Sequence, residues 1–121
     1  MIKLLKKNKL VTKALQTWFT ERMKKAVADS NNEEWMEHFI QSEISVEKLA
    51  PVIELNPRSL FDFFDEHQVY ILPTMNEEEE FSATINSKKI INCYFTRIEA
   101  ETEAVIRAFP LLELNLDTDE Q

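Results

Sequence analysis

Val69-Tyr70-Ile71-Leu72, the acidic run Glu77-Glu78-Glu79-Glu80, Phe81-Ser82-Ala83-Thr84-Ile85, the pair Asn86-Ser87, Lys88-Lys89-Ile90-Ile91-Asn92-Cys93-Tyr94-Phe95 and the close Thr96-Arg97-Ile98-Glu99 together decide the fold. Residues 69–72 read as an apolar strand ended by Pro73. Four adjacent carboxylates repel one another and each demands water, so residues 77–80 read as a solvated loop or a binding edge. Phe81, Ala83 and Ile85 alternate with Ser82 and Thr84, as a half-buried strand requires, and Asn86-Ser87 turns the chain into a further strand. In that strand Ile91, Cys93 and Phe95 share one face and Ile90, Asn92 and Tyr94 the other. Apolar members on both faces predict a central position, with Cys93 buried and chemically quiet.

Thr96 and Glu99 have the spacing of a capping box, which predicts a helix whose inner stripe is Ile98, Thr102, Val105, Ile106 and Phe109. Pro110 is expected to end it, and Leu112, Leu114 and Leu116, alternating with Glu113 and Asn115, to form a last strand before the acidic tail at 117–121.

Upstream, residues 2–28 read as an amphipathic helix with Val11, Leu15, Trp18, Phe19, Met23, Ala26 and Val27 on one side. Core packing is the expectation for it, against the alternative of a membrane-surface or partner-docking arm; residues 1–9 are open to fraying or to extending beyond the body. Ser30 and Glu33 form another capping box, predicting a helix to about residue 42 with Trp35, Met36, Phe39 and Ile40 inward. Residues 44–50 fit either a short strand or a helical turn halted by Pro51, and Val52, Ile53 and Leu55 then suggest a strand. Asn56-Pro57 starts a helix to about residue 66 that buries Leu60, Phe61, Phe63 and Phe64.

The chain's 121 residues, 44% of them hydrophobic, suffice for one core and one domain, residues 1–121. A single cysteine and two histidines provide neither an internal disulfide nor a four-ligand zinc site, which fits a reducing cytoplasm. No apolar run is long enough to span a membrane, and the basic start lacks a signal peptide's apolar centre, so a soluble, cytoplasmic chain is expected. Glycine is absent, which removes the backbone that phosphate-binding loops need and excludes P-loop and Rossmann-type nucleotide sites.

Charge is divided along the chain. Residues 1–25 carry eight Lys or Arg against Glu21, a net of +7, leaving −15 for the rest of a chain whose total is −8. That acidic body disfavours nucleic acid on the main surface and favours a basic protein partner, with Glu77, Glu78, Glu79 and Glu80 as the candidate partner-binding residues. No metal site and no cofactor are expected. The alternative is an enzyme with an unrecognised site, for which Glu34, His38, His67 and Cys93 are the available groups. An enzyme requires those groups to converge in a pocket; a binder requires an exposed acidic and aromatic patch.

Leu60-Phe61-Asp62-Phe63-Phe64, leading into Val69-Tyr70-Ile71-Leu72-Pro73 and later Ile90-Ile91-Asn92-Cys93-Tyr94-Phe95-Thr96, resembles the N-terminal domain of the SseB family over residues 57–104. Arg97 stands where that family has serine, and the family's usual glycines are missing. The resemblance implies a small α+β domain without established catalysis, found among bacterial proteins linked to secretion and toxin systems. The pattern of elements read along the chain predicts an α+β fold, with helices packed on one face of a mainly antiparallel sheet of four or five strands. The expected function is a protein-binding module, most concretely an immunity-type inhibitor or secretion-associated adaptor for a basic partner.

Overall fold

Among the described residues, three antiparallel strands in the order β1-β2-β3 form the sheet: β1 Ile71–Met75, β2 Phe81–Ile85 and β3 Lys88–Lys89. The computed structural model describes residues 1–30, 44–90 and 92–119. Their helices are α1 Ile2–Lys7, α2 Lys9–Ser30, α3 Val46–Leu55, α4 Phe61–Glu66, entered through a 3-10 turn at Pro57–Leu60, and α5 Arg97–Asp119. The fold is α+β. The helix expected up to residue 42 lies outside the described residues, as does Ile91.

Without glycine, other residues take the left-handed backbone positions. Asn86 and Ser87 have φ of 51° and 70°, the two positive values of the tight turn whose twist matches a hairpin. Gln68, at φ 63°, ends α4: its N–H donates to the Asp65 carbonyl and that of Val69 to the Phe64 carbonyl, the paired bonds that close a helix C-terminus. Val69 is thereby buried beside Phe64 before the chain enters β1.

The sheet is smaller than the four or five strands expected, and prolines explain much of the difference. β1 runs through Pro73 rather than stopping there. Tyr70 and Asn76 both turn their backbone groups toward the β2 side, so Pro73, at the alternate parity, has its ring nitrogen on the free edge where no sheet bond needs a donor. Residues 52–55 are helical, not a strand, because α3 continues through Pro51 with Val46, Leu49, Ala50 and Ile53 at helical spacing. Residues 112–116 are likewise helical. Pro110 removes one bond, to the Ile106 carbonyl, at a cost of about 3 kcal/mol. Both residues are exposed, so water reaches that carbonyl, while the flanking Phe109 and Leu112 are buried at about 1.5–3 kcal/mol each and keep α5 on the core.

The third strand is an edge, not the expected centre. Thr84 pairs with Lys89 and Phe81 with Tyr94, so three steps along β2 face five along the returning chain. The returning chain bulges, and Cys93, expected to be buried, is exposed.

The helices cover the sheet face that carries Ala83, Ile85 and Ile90. The inner stripe of α5 is Ala100, Ala104, Val105, Ala108, Phe109 and Leu112, while the expected members Ile98 and Ile106 are exposed. Small residues at four-residue intervals let the helix approach β2 closely. An edge-to-face series of rings, Trp18 to Phe63, Phe63 to Phe64 and Phe64 to Phe109, joins α2, α4 and α5 at centroid spacings of 5.6, 5.3 and 5.6 Å.

A carboxylate from the far end of the chain caps α2. Asn8 uses its side-chain amide to donate to the Leu4 carbonyl, and the orphan N–H groups of Leu10 and Val11 donate instead to Glu113 Oε1 at 2.8 and 3.1 Å. A negative charge at a helix N-terminus is favoured by the dipole as well as by the hydrogen bonds. Glu113→Ala is expected to lower stability by about 1–3 kcal/mol, with Glu113→Gln intermediate, as measured by urea denaturation. An unchanged midpoint in both variants would remove this role from Glu113.

Candidate functional site

The acidic run forms the tip of the β1–β2 hairpin. Asn76 organises it: its Oδ1 accepts from the N–H groups of Glu78 and Glu80 at 3.0 and 2.9 Å, and its Nδ2 donates to Glu80 Oε1 at 3.1 Å. The Asn76 carbonyl accepts from the Glu79 N–H, and Glu79, with φ 62°, takes the left-handed position that glycine usually fills in such a loop. Glu77, Glu78 and Glu79 are exposed and Glu80 is half-buried. None of the four is in an ion pair among the described residues. Four carboxylates are therefore held on an ordered turn with water as their main counter-environment.

Apolar side chains lie beside them. Phe81 exchanges both backbone hydrogen bonds with Tyr94, each 2.7 Å, which brings the next residue, Phe95, to the same end of the sheet as Glu80. Phe95 is 87% exposed, and Met75, paired with Phe81 on β1, is 62% exposed. Immediately after Phe95, the Thr96 hydroxyl donates to Glu99 Oε1 at 2.7 Å and accepts from the Glu99 N–H at 3.3 Å, fixing the start of α5.

On the helix-covered side of the same sheet end is a cleft of about 340 Å³ lined by Arg58, Pro73, Met75, Phe81, Arg97 and Glu101, among others. Glu101 is only 5% exposed. The Arg58 guanidinium abuts its Oε1 as an ion pair. Arg97 has no ion pair among the described residues. On the opposite face a hollow of about 210 Å³ is lined by Asn76, Glu80, Lys89 and Cys93 with Thr74, Met75 and Ser82.

Of the groups available for an enzyme, the two among the described residues, His67 and Cys93, do not come together in either space. His67, after α4, lies tilted against Phe63 with ring centroids 4.8 Å apart and lines neither one, whereas Cys93 lines the smaller hollow. Glu34 and His38 lie outside the described residues. Among the described residues no three His, Cys, Asp or Glu side chains group closely enough to hold a metal ion, and no helix is long and apolar enough to cross a membrane.

Phe95, Arg58, Arg97 and Glu101 escaped the sequence reading. The sequence sets Phe95 with Cys93 on one face of a strand apolar on both sides; both residues are exposed, because the helices cover only the face of Ala83, Ile85 and Ile90, which strand alternation alone does not reveal. Glu101 did carry a signal: it sits between Ala100 and Ala104-Val105, a lone carboxylate inside a helical apolar stripe. The fold and this end of the sheet define a small α+β domain that presents an acidic, aromatic-edged hairpin. Compared with known proteins, the chain matches no family model, no curated sequence and no solved structure.

Proposed function

We propose that the chain is a protein-binding module that holds a basic partner through the hairpin tip, with Glu77, Glu78, Glu79 and Glu80 as a charged rim and Phe95 as the apolar anchor. The observation that carries this reading is that one end of the sheet carries both an 87% exposed phenylalanine and four carboxylates without ion-pair partners among the described residues. Exposed charge raises the association rate and selects the partner, while an aromatic ring leaving water supplies binding energy. An immunity-type inhibitor or a secretion-associated adaptor is the most concrete form of such a module. The SseB-like stretch at residues 57–104 supports that form.

The test begins by capturing partners from native cells on immobilised wild type and on Phe95→Ala, and retaining the protein lost on the variant. Neutralising all four glutamates to Gln is then expected to slow association and flatten its dependence on salt, with little change in dissociation. Exposed ion pairs contribute about 0–1 kcal/mol each, so the summed effect is modest. Phe95→Ala is expected to act mainly on dissociation and to cost about 1–3 kcal/mol. Superimposable association curves across ionic strength would leave the loop as a solvated turn.

A further inference from the structure

We propose that the cleft between the start of α5 and the sheet is a second binding site, independent of the acidic hairpin, and that it takes a carboxylate carried on a short apolar group. Its volume, about 340 Å³, falls at the small end of ligand pockets, roughly 300–1,000 Å³. Pro73, Met75 and Phe81 lie on one face of the β1–β2 ladder and give the cleft an apolar wall. Its charges are two guanidiniums and one carboxylate. Arg58 is engaged by the buried Glu101, whereas Arg97 has no ion pair among the described residues, so the site has one uncompensated positive charge.

That balance selects the ligand. A monoanion neutralises Arg97, and a planar carboxylate matches the guanidinium fork with two parallel hydrogen bonds. A phosphate dianion would put excess negative charge beside the buried carboxylate of Glu101. Arg97 is also the first residue of a 23-residue helix, where the dipole adds partial positive charge. Glu101 has the separate task of fixing the floor: its contact with Arg58 ties α5 to the 3-10 turn and keeps Arg58 at the cleft wall.

The carboxylate could belong to a free small acid or to the C-terminus of a polypeptide, and the experiment separates these sources. Isocaproate, isocaproamide, inorganic phosphate and an acetylated tripeptide ending in leucine, as free acid and as amide, are titrated into the full chain and followed by amide-resolved NMR. Isocaproate is expected to shift the Arg97 and Phe81 amides saturably, and isocaproamide to leave them unmoved. Arg97→Ala, at an exposed position, is expected to weaken binding about tenfold or more with an unchanged melting temperature, and Arg97→Lys to fall between. A free-acid tripeptide that binds about tenfold more tightly than isocaproate assigns the site to a polypeptide C-terminus; one that binds no more tightly assigns it to a small acid. Equal response to acid and amide, tighter binding of phosphate, or undiminished affinity in Arg97→Ala would overturn the proposal. None of these readouts involves the acidic hairpin, so the two sites stand or fall separately.

Discussion

A chain lacking residues 1–28 is expected to show no cooperative thermal unfolding. Leu5, Val11 and Leu15 are fully buried, α1 packs on α3, and α2 packs on α5. At about 1.5–3 kcal/mol for each buried side chain, their loss removes roughly 5–9 kcal/mol, comparable with the entire stability of a domain, about 5–15 kcal/mol. Polar connections go with them. The backbone of Ile44 is held to α2 by Gln16 Nε2, which donates to its carbonyl at 2.9 Å, and by Thr20 Oγ1, which accepts from its N–H at 3.1 Å. Glu113 would likewise lose the N–H groups it caps. Circular dichroism melts decide the matter. A truncated chain that melts like the full one would make this basic segment a docking arm on an otherwise self-sufficient body.

Phe109→Ala is expected to destabilise by about 3–5 kcal/mol, against less than about 1 kcal/mol for Ile106→Ala. Both residues belong to the stripe read from the sequence, but Phe109 is fully buried against Phe64 whereas Ile106, one turn earlier, is exposed at the margin of that face. Deleting the ring opens a cavity at the end of the aromatic series that links three helices, where α5 cannot close the gap without moving its alanines off β2. Urea denaturation of the two variants measures the rotation of the helix directly. Equal losses would mean that α5 presents a different face to the sheet.

The misreading of that face has an identifiable source. Ile98 and Ile106 outweigh alanine on any hydrophobicity scale, yet the core side of α5 is set by Ala100, Ala104 and Ala108, because a helix lying close on β2 needs small residues at the contact. Leu112, Leu114 and Leu116 show the same ambiguity. Their alternation fits a strand, but 112 and 116 also continue the helical stripe through Ala108, and Leu114 is left in solvent. In the sequence alone, proline at 51, 73 and 110 reads as a stop each time. Each ring instead sits where its missing donor faces water or a free edge.

Chemistry that acts over a few residues was settled by the sequence itself. The Thr96 hydroxyl caps the Glu99 N–H as expected, although the Glu99 carboxylate accepts from that hydroxyl and not from the Thr96 backbone; Asn86-Ser87 turns the second hairpin, Phe63 and Phe64 are buried, and the α+β class holds. Each depends on neighbours close in the chain, where spacing alone fixes which groups can meet. Tertiary structure decided the number of strands, the inner face of α5, the exposure of Cys93, the cap that Glu113 provides to α2 and the pairing of Arg58 with Glu101. These depend on groups many residues apart in the chain. Burying one large side chain yields about 1.5–3 kcal/mol, which can outweigh the few tenths that separate local propensities and, when two side chains act together, offset a helical proline.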